Sequence, residues 1–204
     1  MLSIRNLRAA AVTADRLDLA RGECVVLTGP SGGGKSRLLR AIVDLDPSTA
    51  EVTLDGTRRE AIPAPAWRRR VALVPAESGW WADRVSDHMP GGDPRPLIEA
   101  LGLPAEAAGW EVARLSSGER HRLAIVRALM GAPEYLLLDE PSAALDADAT
   151  RRLEALLAER RAGGLGLVVV THDREQAERL GGTRRTVAGG RLAPADAPRS
   201  RATA

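Results

Sequence analysis

With 204 residues, 44% of them hydrophobic and 27% charged, the chain is sized for one soluble globular domain with room for a small insertion. A formal charge of +2 is too nearly balanced for the pI of 9.3 to argue for a nucleic-acid partner. No run approaches the roughly 20 apolar residues that a bilayer crossing needs, and the single cysteine excludes an internal disulfide.

The opening "MLSIRNLRAA" lacks the long apolar segment of a signal peptide, so a cytoplasmic protein is expected, with any membrane role supplied through a partner. The alanine and arginine bias reads as a genomic preference. In chain order, "ECVVLTG" predicts a buried strand with Cys24 as a small buried residue, and "KSRLLRAIVDL" predicts a helix. "EVTLDG" and "RRVALVPA" read as strands, and so do "EYLLLDE" and "GLGLVVVTHD" further on. Continuous apolar strands alternating with helices imply a parallel sheet covered on both faces. Between about Trp81 and Met130 the pattern turns to helices with Pro/Gly-rich links such as "MPGGDPRP", which reads as an inserted helical subdomain. "RRLEALLAERRAGG" is an amphipathic helix closed by glycine, and residues 193–204 read as a frayed tail.

The segment between the first predicted strand and helix carries the chemistry. "GPSGGGKS" fits G-x-x-x-x-G-K-[ST] over Gly29, Pro30, Ser31, Gly32, Gly33, Gly34, Lys35 and Ser36, in the strand–loop–helix context that the motif requires. Glycines let the backbone turn so that successive N–H groups point at phosphate oxygens, and the following helix adds its positive end. Of 29 cationic side chains, 28 are arginine, and the only lysine is Lys35. A compact ammonium on a flexible stem can bridge β- and γ-phosphates where a planar guanidinium fork is too wide. Ser36 offers a hydroxyl to Mg²⁺. At the end of a later strand, "YLLLDEPSAALD" supplies Asp139 and Glu140. In a parallel sheet ligands collect at the carboxyl ends of strands, so these carboxylates should share a cleft with Lys35. One can hold Mg²⁺ through its waters, and the next can take a proton from the water that attacks the γ-phosphate.

"LSSGERHRLAIVRAL", Leu115 to Leu129, resembles the signature segment of ATP-binding cassette (ABC) ATPases, usually L-S-G-G-Q. The order of phosphate loop, signature, "LLLDE", "SAALD" and "VVVTHD" matches too, over about residues 1 to 192. The resemblance implies an α/β fold: a P-loop NTPase core with a mainly parallel sheet, an N-terminal antiparallel β portion and an inserted small α-helical subdomain. It divides the chain into a core at about 1–80 and 131–192 and a helical subdomain at about 81–130. It further implies Glu140, His172 and Lys35 as catalytic residues and Ser36 and Asp139 at the metal. ATP contacts are implied at Gly29 through Ser36 and, from the opposite subunit, at Ser116, Ser117 and Gly118. In this resemblance His172 is the switch histidine at the γ-phosphate, and "SAALD", with Asp146, meets the second subunit. With no internal repeat, the chain is one cassette. The implied function is ATP hydrolysis with Mg²⁺ as the motor of an ABC transporter. The implied partners are a second, identical cassette and a separate membrane permease, with no nucleic acid expected.

Three departures qualify the resemblance. Ser117 stands where the family usually has Gly, and Glu119 where it has Gln; Ser is tolerated there if the local φ is negative. Ala76 stands where a glutamine is usual after the strand "VALVP", with Glu77 next to it, so slow or altered hydrolysis is expected. Residues 1 to 66 contain no aromatic side chain to stack a base, which leaves Arg16 or an aliphatic residue for that contact and predicts poor base selectivity. Trp80 and Trp81 admit two readings, an exposed pair for the permease or core packing. The competing functions are a soluble ABC ATPase acting on nucleic acid or ribosomes, and a nucleotide-gated subunit with little hydrolysis.

Overall fold

The computed structural model describes residues 1–193, so the expected tail at 193–204 falls, except for its first residue, outside the described residues. Three strands, β3 (Cys24–Thr28), β7 (Tyr135–Asp139) and β8 (Gly166–Val170), are almost wholly buried. Their side chains alternate between two hydrophobic clusters. Val25 and Leu27, Tyr135 and Leu137, and Val168 and Val170 face one cluster. Cys24 and Val26, Leu136 and Leu138, and Leu167 and Val169 face the other. A strand covered on both faces needs apolar residues at every position, which is why these segments read as continuous runs.

These strands pair in parallel, with β6 (Val71–Val74) beyond β7 and β9 (Thr183–Ala188) on the far side of β3. The remaining part is antiparallel: β1 (Leu2–Ala9), β2 (Val12–Leu19), β4 (Ser48–Leu54), β5 (Thr57–Arg58) and β10 (Arg191–Leu192), the last touching β2 in parallel at one residue pair. The ten described strands run β5-β4-β1-β2-β10-β9-β3-β8-β7-β6 in one sheet. Mainly parallel core and antiparallel N-terminal portion are both as the sequence implied.

Helix α1 (Lys35–Ile42) buries Leu38, Leu39, Ala41 and Ile42 against the first cluster, where Trp67 of α2 (Ala64–Arg70) is sealed with its Nε1–H donating to the Ile42 carbonyl at 3.1 Å. The second cluster is covered by α5 (Ala147–Ala162) through Leu153, Leu156 and Leu157. It runs without a break into the helical section. There α3 (Arg95–Ala100), several single 3-10 turns and α4 (Ser117–Met130) contribute Ile98, Leu101, Leu123 and Val126 to the same cluster that holds Val74 and Leu138. The section is therefore packed onto the sheet as part of one shared core. A short α6 (Arg174–Arg179) is capped by Asp173, whose carboxylate accepts from the Glu175 and Gln176 N–H groups at 2.8 and 3.1 Å.

Register places the site. Leu27 pairs with Val170, Val170 with Asp139, and Val74 with Leu138. All four strands therefore end at one edge, where Gly29, Thr171–His172, Glu140 and Pro75–Ala76 follow in strand order.

Candidate functional site

The loop after β3 is built around close approaches that only glycine permits. Gly29 has φ 137°, and a methyl group on it would sit 2.0 Å from the Val187 carbonyl oxygen. Gly34 has φ 99°, and its methyl would lie 2.9 Å from both the Ala11 oxygen and the Val12 Cβ. The loop is thus wedged between β9 and the β1–β2 turn. Gly33 N–H donates to the Pro30 carbonyl at 3.1 Å, and Gly34 opens α1, so Ser36 lies exposed in its first turn.

Lys35 is buried, and its Nζ donates to the Gly29 and Pro30 carbonyls, each at 2.9 Å. The same Nζ is 3.3 Å from His172 Nε2, which is 3.1 Å from Glu140 Oε1. Lysine, imidazole and carboxylate thus form a line at the mouth of the glycine loop, from three separate strand ends. Glu140 Oε1 is itself shielded from solvent and has no aligned hydrogen-bond donor. Burial raises the Glu140 pKa; the neighbouring His172 and Lys35 pull the other way without overcoming it. Its backbone adopts φ 52°, a conformation an L side chain takes at a cost of about 1–2 kcal/mol. Asp139, one residue earlier, is buried at the strand end.

Donor chemistry at this edge suits a magnesium nucleotide. No group of three or more His, Cys, Asp or Glu side chains able to hold a metal lies among the described residues. The Ser36 hydroxyl and the Asp139 carboxylate are oxygen groups of the kind Mg²⁺ accepts, an ion ordinarily held by one or two protein oxygens with waters and substrate phosphates completing its shell. The glycine cradle, which a single Cβ would fill, suits phosphate oxygens approaching the backbone.

The signature residues lie apart. Ser116 caps α4 in a capping box: the Glu119 N–H donates to Ser116 Oγ at 3.2 Å, and Ser116 N–H donates to the Glu119 carboxylate at 2.8 Å. Ser117 sits in the helix with negative φ, the condition on which serine is tolerated there. A methyl on Gly118 would lie 2.7 Å from the Ala144 carbonyl oxygen, so the helix start rests on the "SAALD" segment. That segment borders a cleft of about 920 Å³ lined by Ser31, Glu140, Ser142, Leu145 and His172 among others. Asp146 turns inward to cap α5, its carboxylate accepting from the Ala149 N–H at 2.8 Å.

Arg16 is not brought to the phosphate loop. It lies four residues along β2 from Val12, about 13 Å, with its Nε on the Asp18 carboxylate at 2.6 Å. Ala76 and Glu77 are both exposed. Trp80 and Trp81 divide between their two readings: Trp80 packs on the second cluster, whereas Trp81 is 74% exposed. His88 organises them. Its Nε2 accepts from the Trp81 and Ala82 N–H groups at 2.8 and 3.0 Å, which leaves Nδ1–H to donate to the Arg84 carbonyl at 2.9 Å. The Arg127 guanidinium covers both indoles, 4.8 and 5.1 Å from their centroids. The sequence reading passed over His121, buried in α4 with Nε2 unpartnered; burial lowers its pKa, against the pull of the nearby Ala76 backbone and of Asp139. Nothing in a helical "ERHRL" marks such a histidine, because its neighbours come from other strands.

The family model described as "ABC transporter" matches residues 12–143. An aliphatic sulfonates import ATP-binding protein, SsuB 2 of Burkholderia cenocepacia (strain HI2424), is 42% identical over 175 residues, 81% of this chain and 63% of that protein. A phosphate import ATP-binding protein, PstB 2 of Natronomonas pharaonis, is 34% identical over 197 residues, 84% of this chain and 69% of that protein. Against the first relatives, all SsuB proteins, the chain spans about three fifths of their length. Among solved structures, an ATP-binding subunit of an ABC transporter superposes with TM-score 0.84 at 24% identity, covering 94% of this chain and 88% of that one. A dimeric ATP-binding cassette in a post-hydrolysis state with ADP and Pi gives 0.77 at 24% identity, covering 95% and 97%. With 132 of 204 residues inside the family model and the loop, carboxylates and capped serine helix placed in one fold, the chain belongs to the ABC transporter family.

Proposed function

We propose that the chain binds and hydrolyses ATP with Mg²⁺ as the motor subunit of an ABC importer, held at the inner face of the membrane by a separate permease. The observation that carries this is the Lys35–His172–Glu140 line, 3.3 and 3.1 Å between successive atoms, at the mouth of the glycine loop. Backbone N–H groups of Gly32, Gly34, Lys35 and Ser36 and the Lys35 ammonium bind the β- and γ-phosphates. Ser36 and Asp139 hold the metal, which supplies charge neutralisation on those phosphates when bound. Glu140 accepts the proton of the attacking water, for which a raised pKa brings its basicity nearer to working pH. His172, between the ammonium and the carboxylate, orients that water and the terminal phosphate.

Ser116, Ser117 and Gly118 are the part of the site that a second copy would use: the N-terminus of α4 is aimed at an anion that its own subunit does not provide. Two copies head to tail bring each serine helix to the other's phosphate loop, and the cleft beside "SAALD" accommodates that contact. The import direction follows the names of the two relatives. No helix among the described residues is long and apolar enough to cross a membrane. The reading places the permease on a separate chain, with Trp81 as the exposed apolar side chain best placed to meet it.

Phosphate release from purified protein tests this, with Glu140→Gln and Lys35→Ala beside the wild type and light scattering to follow dimerisation. Hydrolysis lost in both variants, with ATP-driven dimers retained by Glu140→Gln, is the expected result. Equal inactivity of wild type and Glu140→Gln with dimers intact would favour the nucleotide-gated reading, which the methyl side chain of Ala76 motivates.

A further inference from the structure

Glu140 keeps a left-handed backbone, φ 52°, at the first residue after β7. Such a conformation persists only where its surroundings fix it. One tie is direct: the Glu140 N–H donates to the Val170 carbonyl at 3.0 Å. The next lies two residues on. Ser142 lines the cleft beside Glu140, and its hydroxyl donates to Gln176 Oε1 at 2.9 Å. Gln176 belongs to α6 and is 1% exposed, so its amide is shut away from water. Its backbone holds the other half of the site. The Gln176 N–H donates at 3.1 Å to the carboxylate of Asp173, the residue after His172. On the far side of the histidine, Thr171 Oγ1 accepts from the Asp173 N–H at 3.1 Å. One residue thus grips both segments whose side chains, Glu140 and His172, meet at 3.1 Å.

The polarity of this grip is set from the α5 side. Arg179 lays Nε and one Nη on the two oxygens of the mostly buried Glu154 carboxylate, at 2.8 and 3.0 Å. An ionised carboxylate can only accept. The Gln176 amide therefore turns Nε2 to Glu154 Oε1, 3.4 Å away, and Oε1 to Ser142. Arg179, Glu154, Gln176 and Ser142 form a directed series in which each member orients the next. An amide suits its middle, because it carries a donor on one atom and an acceptor on the other. A carboxylate there would face Glu154 charge to charge. An apolar side chain of the same length would leave the Ser142 hydroxyl without its acceptor.

We propose that Gln176 is a positioning residue for hydrolysis: it holds Ser142, and with it the turn that carries Glu140, in register with His172. The inference rests on the ATPase reading above and adds a residue that acts from behind the cleft. The glycine loop and Lys35 take no part in the series, so the hold on the triphosphate does not depend on it. Alignment of Glu140 does.

Phosphate release and ATP binding by Ser142→Ala, Gln176→Met and the double variant test it, beside hydrogen exchange of the nucleotide-free proteins. Each single variant should lower kcat by about 10- to 100-fold, the scale of a small misplacement of a reacting group. The Kd for magnesium–ATP should stay within about threefold of wild type. The double variant should lose no more than the worse single one, as members of one series do. Without nucleotide, the Ala143 and Leu145 amides donate to the Glu140 and Ser142 carbonyls, and in both single variants they should exchange about tenfold faster. Gln176→Glu combined with Glu154→Gln keeps the net charge and supplies one donor and one acceptor again. That pair should return kcat to within about fivefold of wild type, where Gln176→Glu alone does not. Wild-type kcat in Ser142→Ala that melts normally overturns the inference and leaves the ATPase reading standing. So do losses that multiply in the double variant, or unchanged exchange at Ala143 and Leu145. Should Gln176→Met fail to fold, Ser142→Ala and the exchanged pair decide by the same criteria. Wild-type protein that releases no phosphate overturns both readings.

Discussion

Glu140→Gln separates what the carboxylate does for chemistry from what it costs the fold. The substitution keeps shape and removes charge from a group whose Oε1 is buried, 3.1 Å from His172 Nε2, without an aligned donor. Losing the acceptor for the water's proton should slow hydrolysis by about 10²–10⁴-fold, or about 3–5 kcal/mol on the barrier. Stability should move the other way. Burial raises the Glu140 pKa in the folded state, so the fold holds this proton more tightly than the unfolded chain does. Ionisation therefore destabilises the fold as pH rises from the ordinary glutamate range, about 4.3, through the raised folded value. Above that window the amide variant should be more stable by about 0.5–1 kcal/mol, a gain of about 1–4 °C in Tm for a chain of this length. Below the window both side chains are neutral and the difference should vanish. Thermal melts of both proteins from pH 4 to 8, beside phosphate release at pH 7.5, are the assay. A variant destabilised equally at every pH, or one that hydrolyses ATP at the wild-type rate, would refute the reasoning.

Gly29→Ala should cost about 3 kcal/mol or more and abolish triphosphate binding, since its methyl meets the Val187 carbonyl at 2.0 Å. Gly32→Ala, with φ 73° but nothing within 4 Å, should cost only about 1–2 kcal/mol, denaturant titration of both variants beside the wild type being the measurement. Burial would push the Asp18 carboxyl up, but hydrogen bonds from Arg5, Arg16 and Ser3 outweigh it and hold the pKa at about 2. That group's stability is present above the unfolded value near 3.9 and lost as pH falls toward 2. Asp18→Asn should accordingly flatten the acid limb by about 1 kcal/mol, allowing for solvent screening. Burial also pushes the Cys24 thiol up to about 11. About one thiol in a thousand is then ionised at pH 8, so maleimide labelling should be slow in the folded protein and fast in urea.

The central strands were legible because burial on both faces forces an uninterrupted apolar run, as in "VVLT" and "LLLD". The loop residues were legible because glycine, lysine and serine at fixed spacing serve one chemistry. What the sequence concealed depends on contacts between distant segments. Gly29 and Gly34 are needed for the approach of Val187 and Ala11, which sequence spacing does not reveal. Arg16 looked available for a base, but its Nε rests on Asp18 two residues along the same strand; what sequence spacing did not show is that Arg5 of β1 converges on that carboxylate. The helical section read as an insertion, yet its apolar residues finish the core begun by β6 and β7, and a one-dimensional pattern cannot show which face they join. His121 stayed hidden for the same reason.

Helix α4 runs 14 residues, about 21 Å, with no proline, and its one glycine, Gly118, is its second residue. At its first turn it bears the serine pair; near its last it bears Arg127, clasping the indoles of the loop that follows Ala76. Nothing between Glu119 and Met130 offers a point of flexure. The helix therefore ties the position of the serine pair to that of Arg127, and the rotatable Arg127 side chain is a soft link between it and the indole loop.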